Sequence, residues 1–207
     1  MSNHWLNIPL EDYEGHMSHK NVQQLDALAA LFKNALAICR PENISIVGIA
    51  GGNGIDQIDH ETTKRIVGLD INPQYLNEVR RRFRHLSTLE LDCLDLQTER
   101  ASSSPTTLVH AALIFEHTGL EPALSNVLPL VEKDGKFSVV LQLPSQLEQD
   151  VSLTGFSSLQ TLKQDFRLID PDEFTQLMTQ NDFHLFQKSC HSLPAGKALW
   201  WGLFERH

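Results

Sequence analysis

Cysteine is scarce and unpatterned. Cys39, Cys93 and Cys190 are odd in number and far apart, which excludes a disulfide framework and any recognisable zinc-ligand spacing. Cationic side chains are also in deficit: 17 Lys and Arg stand against 26 Asp and Glu, a formal net charge of −9, which argues against a surface that wraps nucleic acid. No stretch approaches the roughly 18 consecutive apolar residues that span a bilayer. The opening Met1-Ser2-Asn3-His4-Trp5 has neither the basic flank nor the apolar run of a secretory signal. Internal repeats, low-complexity tracts and dividing linkers are missing too; the one compositional break is the polar loop Ala101-Ser102-Ser103-Ser104-Pro105. What is present is 207 residues, 41% of them hydrophobic. Such a chain buries roughly 70% of its unfolded surface, the behaviour of one ordinary domain. The expectation is a single soluble, reduced, cytoplasmic domain over 1–207, with no membrane partner and an oligomeric state left open.

Helical and strand patterns alternate along it. From Asn21 to Cys39, Val22, Leu25, Leu28, Ala29, Phe32, Ala35 and Leu36 fall at three- and four-residue steps, one apolar stripe on a helix that Pro41 ends. Ile44-Ser45-Ile46-Val47 is short and β-branched, closed by glycines, and reads as a buried strand. The same reading gives a helix beginning over 55–60, strands at 65–70, 88–91 and 107–114, and helices at 73–85 and 122–131. After the Asp134-Gly135 turn comes a strand at 136–143. Asp170-Pro171-Asp172-Glu173 opens a further helix, with Asp170 as N-cap and Pro171 at the first position. Two last strands, 183–190 and 198–204, are joined by Leu193-Pro194-Ala195-Gly196, short enough for a hairpin. The predicted fold class is α/β: a Rossmann-like, mostly parallel seven-stranded sheet with helices on both faces and an antiparallel C-terminal hairpin. Residues 1–40 would form an N-terminal cover segment and helix, and 41–207 the core.

Chemistry concentrates at the predicted strand ends. Gly48-Ile49-Ala50-Gly51-Gly52-Asn53-Gly54 follows the first strand; its small residues let backbone approach a ligand closely, and a helix after it would present amide donors there. Asp70 closes the second strand, 22 residues beyond Gly48, where a carboxylate can accept both hydroxyls of a ribose. Asp92 closes the third strand on the same edge. A dinucleotide fingerprint starting at Gly48 would need glycine at 50 and 53 but meets Ala50 and Asn53. The spacing G-x-G-x-G instead meets Gly48, Ala50 and Gly52 with one conservative difference.

With that loop and those acids, the stretch from Ile44 to Phe204 resembles the class I S-adenosylmethionine-dependent methyltransferases. Leu113-Ile114-Phe115-Glu116-His117 is similar to the Leu-Glu-His box after strand four of the small-molecule members, and Glu132-Lys133-Asp134-Gly135-Lys136-Phe137 to the turn before their strand five. The resemblance implies S-adenosyl-L-methionine as cofactor and a small molecule as methyl acceptor. It places Gly48, Ala50 and Gly52 around the methionine part, Asp70 on the ribose, Ile71 beside the adenine, Asp92 on the adenine N6 and the Cys93 amide on its ring nitrogen. Ala112 falls where the family often sets a residue beside the cofactor. Tyr13-Glu14-Gly15-His16-Met17 resembles an N-terminal cover, with Tyr13 or His16 closing over the cofactor. The family's usual acids two residues before the loop and at the opening of strand four are here Ile46 and Thr107.

Methyl transfer from a sulfonium depends mostly on positioning, and a base is needed only when the acceptor must lose a proton. His117, after strand four, is the candidate base. His16 and Gln142 are candidate acceptor contacts, and Phe156, Leu159, Leu162 and Phe166, spaced as a short amphipathic helix within 151–170, are candidate pocket wall. The run Arg80-Arg81-Arg82-Phe83-Arg84 reads as a solvated helix face, and the His16/His19 and His110/His117 spacings match no metal motif. Two other readings stay open: a non-catalytic pseudoenzyme that binds the same cofactor, and a nicotinamide-dependent oxidoreductase.

Overall fold

Alternation along short, β-branched strands decides which side chains meet which helices. The computed structural model describes residues 3–145 and 154–207. Strands β1 (Asn43–Val47), β2 (Arg65–Asp70), β3 (Leu89–Cys93), β4 (Thr106–Ala112), β5 (Val131–Gln142), β6 (Phe183–Ser192) and β7 (Ala198–Arg206) form one sheet in the order β3-β2-β1-β4-β5-β7-β6. The first five pair in parallel, while β7 runs antiparallel to both β5 and β6, as the hairpin reading expects. Ile44 and Ile46 of β1 and Leu108 of β4 face α2 (Gln24–Cys39) and α3 (Pro73–Arg82); Val47, Val109 and Ala111 face the opposite core, built around Phe115, Phe137, Phe174 and Phe204. That second core is covered by α5 (Ala123–Val127) and α6 (Pro171–Gln180), and Asp170 caps α6 by accepting the Asp172 N–H at 2.8 Å. No helix among the described residues is long and apolar enough to cross a membrane.

From β1 the chain moves outward to β2 and β3, then returns to place β4 on the other side of β1. This reversal opens a crevice beyond the carboxyl ends of β1 and β4, the position where open α/β sheets hold ligands.

Four local expectations need correction. The glycine loop does not run into an α-helix: Ile55–Gln57 is a single 3-10 turn. Asp59 takes the Glu61 N–H and the Thr62 hydroxyl, each at 2.9 Å, and this local turn competes with helix. No helix dipole therefore points at the crevice from there. The 122–131 helix is broken at Leu128–Leu130, where Pro129 lacks an N–H, and Val131 already belongs to β5. The segment after β5 holds a 3-10 stretch, Ser157–Gln164, in place of the amphipathic α-helix, and 151–153 lie outside the described residues. A helix not foreseen, α1 (Leu10–Ser18), carries the Tyr13–Met17 segment.

Candidate functional site

The turn after β1 is bent by residues with positive φ and tied to β2. Gly48 has φ +68°, and a Cβ there would stand 2.0 Å from Ile114 Cδ1. Its N–H and that of Ile49 both donate to Leu69 O, at 2.8 and 3.0 Å. Ala50, left-handed at φ +46°, donates its N–H to Asp70 Oδ2 at 2.9 Å, while Asp70 Oδ1 accepts the Asn72 N–H at the same distance. Burial pushes the Asp70 carboxyl up from its ordinary pKa, opposed by these backbone donors. One carboxylate thus fixes both the glycine loop and the start of α3.

A cavity of about 90 Å³ lies against this turn, and Gly48, Ala50, Asp70, Ile71, Ala112 and Tyr13 all line it. Gly52 does not. Its missing Cβ leaves room for Phe83, and it lines an outer groove with Asp56 and Arg82. Asp92 and Cys93 do not line the cavity either. The Asp92 carboxylate accepts a hydrogen bond from the Ser103 hydroxyl, and Cys93 Sγ lies 3.5 Å from Ile71 O. Because β3 runs on to Cys93, level with Asp70, the residues that turn over the crevice are Leu94, Asp95 and Leu96.

A second cavity, about 70 Å³, meets the first along a wall formed by Trp5, Tyr13, Leu113 and His117, and contains His16 and Gln142. The His117 ring is held edge-on between Trp5 and Phe166, with centroids 4.9 and 5.3 Å away. Its Nδ1 is buried without a hydrogen-bond partner among the described residues, and burial pushes its pKa down to about 4, so the imidazole is neutral at pH 7. His16, bonded through Nδ1 to the Thr154 hydroxyl at 2.6 Å, is also lowered to about 4, first by burial and then by the Lys197 charge. Gln142 accepts from Gln24 Nε2 at 3.0 Å, and its backbone N–H donates to Glu116 Oε1 at 2.7 Å. Glu116, in the short α4 (Phe115–Thr118), is fully buried, its Oε2 has no partner among the described residues, and burial lifts its pKa to about 7. Leu159, Leu162 and Phe166 close the far wall, while Phe156 packs instead with Ile8 and Trp5.

The N-terminal arm roofs both spaces. Trp5 and Tyr13 line both cavities, and Tyr13 also covers a third, about 50 Å³, against Gly48–Ala50, Phe32 and His110. The arm is tied down by Asn72 Nδ2 donating to Trp5 O at 2.8 Å and Ser158 Oγ donating to Asp12 at 2.5 Å. It is also held by Arg82, whose guanidinium forks onto Glu14 and reaches Gly51 O at 3.1 Å. Because that ion pair is partly exposed, Arg82→Gln should change stability by less than about 1 kcal/mol. Amide exchange over 10–18 should nevertheless rise markedly, and unchanged exchange there would remove Arg82 as the latch.

Trp5, Gln24, Tyr75 and Asp95 carry no sequence signal of their own. Each arrives by tertiary approach, and only Asp95, three residues beyond Asp92, lay near an expected position.

No protein-family model and no curated protein sequence matches the chain. Solved structures do. The chain is similar to the N-methyltransferase NodS from Bradyrhizobium japonicum WM9 in complex with S-adenosyl-L-homocysteine, at TM-score 0.67 and 12% identity over 99% of each chain. It is similar to coclaurine N-methyltransferase bound to N-methylheliamine and S-adenosylhomocysteine, at TM-score 0.67 and 12% identity over 91% of this chain and 72% of that one. It also resembles the cyclase SpnF, at TM-score 0.67 and 12% identity over 89% and 82%. The fold is the Rossmann-like fold of S-adenosylmethionine-dependent methyltransferases.

Proposed function

We propose that this protein transfers a methyl group from S-adenosylmethionine to a small-molecule acceptor, with the cofactor in the first cavity and the acceptor in the second. The observation that carries this reading is the shared wall: a cavity at the strand-order reversal, edged by Gly48, Ala50 and Asp70, abuts a mostly apolar one at His117. The cradle suits the cofactor, since small residues at Gly48 and Ala50 set backbone against the cavity and the buried Asp70 carboxyl lines it; the missing Cβ of Gly48 makes room for Ile114. When bound, S-adenosylmethionine supplies an electrophilic methyl on a sulfonium. In this reading Gly48 and Ala50 border the methionine part, Asp70 binds the ribose, Ile71 flanks the adenine, and Leu94–Leu96, with the Asp95 carboxylate, replace Asp92 and Cys93 at the adenine end. Ala112 lies beneath the cofactor and Tyr13 above it.

Positioning supplies most of the rate in such a displacement. Trp5, Leu113 and Phe166 hold the acceptor in an apolar, water-poor space, and Gln142 and His16 offer it polar contacts. For a hydroxyl acceptor, His117 takes the proton as the new bond forms. Its low pKa leaves it unprotonated across the neutral range but also makes it a weak base, so the acceptor's proton has to be acidified by the developing bond before it moves. A fold alone does not fix a reaction, and the similarity to a cyclase makes the point here.

The test is calorimetric titration with S-adenosylhomocysteine, with NAD as control. The expected result is micromolar binding of the former, about −8 kcal/mol, and none of the latter. A chain that ignores S-adenosylhomocysteine would end this reading. One that binds it, yet forms none from S-adenosylmethionine across a broad acceptor panel, would be a binding protein without catalysis.

A further inference from the structure

Tyr75 is the third residue of α3 and only 2% exposed. Its ring is well accounted for: it packs into the crevice wall and lies at 30° to the Tyr13 ring, centroids 6.4 Å apart. Its hydroxyl is not. Oη is shut off from solvent and has no hydrogen-bond partner among the described residues, yet the residue lines the first cavity together with Asp70. A buried hydroxyl that has lost water and gained nothing is unfavourable, and phenylalanine would fill the same volume without that loss. Burial, with the negative charge at Asp70, holds the phenol protonated, so it is a standing donor.

The missing partner is chemically constrained. The Asp70 carboxylate accepts backbone N–H groups of Ala50 and Asn72, with Ile71 as a third backbone donor, and of its roughly four acceptor positions one is left for a further donor. A ligand edge that meets both side chains must donate to the carboxylate and accept from the phenol. Adjacent hydroxyls do both, whereas a carboxylate can only accept and an ammonium can only donate.

We propose that Tyr75 and Asp70 together bind a vicinal diol of the ligand in the first cavity, with Tyr75 Oη donating to a hydroxyl oxygen of that diol. The assignment rests on the reading of this cavity as the S-adenosylmethionine site, where the diol is the ribose. Tyr75 is then a binding residue absent from the glycine-loop and acid pattern, and the apo protein carries its unsatisfied hydroxyl until ligand arrives.

Tyr75→Phe tests this, because it deletes one oxygen and keeps the ring. Calorimetry with S-adenosylhomocysteine should show about tenfold weaker binding than wild type, while the melting temperature of the ligand-free variant stays level or rises. Equal affinity in the two proteins overturns the proposal and leaves the cofactor reading standing. A fall in the ligand-free melting temperature also overturns it, since the hydroxyl would then serve the fold itself. A wild-type protein that does not bind S-adenosylhomocysteine removes the cofactor reading and this assignment together.

Discussion

Asp70→Ala should weaken S-adenosylhomocysteine binding at least tenfold, about 1.4 kcal/mol, and should also lower the melting temperature of the ligand-free protein. The double effect follows from the two hydrogen bonds the carboxylate accepts, from Ala50 in the glycine loop and Asn72 at the head of α3. Ala50 sits at φ +46°, where a residue with a Cβ rests only if its surroundings hold it there. Without the carboxylate both N–H groups lose their partner, at about 1–3 kcal/mol for each one left buried and unsatisfied. Asp70→Asn separates the two roles, because its amide oxygen can still accept one of the backbone donors while the charge offered to a ligand hydroxyl is gone. Calorimetry on both variants, with thermal melts alongside, checks the scheme. Unchanged affinity in Asp70→Ala would remove Asp70 from the site.

Stability should rise steeply with pH between about 4.5 and 6.5 and level off near 7. His16, His110 and His117 are all held below their ordinary pKa of 6.5, to about 4, 3 and 4, in each case chiefly by burial. His110 sits in a polar line through the core: Trp201 Nε1 donates to Ser138 Oγ at 2.9 Å, and Ser138 Oγ lies 3.0 Å from His110 Nδ1, under the Phe32 ring. As pH falls through 6.5 the unfolded chain takes up protons that the native histidines refuse. Their contribution is therefore whole above that pH and is lost as pH drops toward the native values. Glu116 has the opposite sign. Its native pKa of about 7 lies above the ordinary 4.5, so its contribution is whole below 4.5 and is lost as pH rises toward 7. Asp70, also pushed up by burial, opposes in the same sense at the acid end. Three histidines against two carboxyls thus leave a net uptake of at most about two protons on unfolding, a slope of up to about 2–3 kcal/mol per pH unit in mid-window. Melting temperatures recorded from pH 4.5 to 7.5 read this directly, and a flat profile would contradict neutral, buried histidines. Glu116→Gln removes one opposing contribution and should steepen the slope.

The parts of the molecule legible in its sequence are those that local chemistry dictates. β2 runs over the same residues the pattern marks, and β1 begins one residue earlier, because β-branched runs bounded by glycine or Asp leave little choice. The terminal hairpin follows from a connection too short for a crossover, and α6 starts where Asp170 and Pro171 say it must. The candidate cavity was legible where a strand end and a special backbone conformation coincide, at Gly48, Ala50 and Asp70, which line it together. It was not legible where a boundary decides the facing. β3 ends at Cys93, two residues past the expected end, and that shift sends Asp92 to Ser103 and leaves Leu94–Leu96 over the crevice. The N-terminal arm was the least readable part. Its α1 is only weakly amphipathic, and its course is fixed by distant partners, Asn72, Arg82, Thr154 and Ser158, that no local pattern announces.

Those anchors have a consequence for binding. Trp5 and Tyr13 form the ceiling of the first cavity and of the second at once, so one cover serves two compartments. The cofactor and acceptor proposed for them would share that cover. On the proposed reading, a substitution that loosens the arm should change the apparent affinity for cofactor and acceptor together.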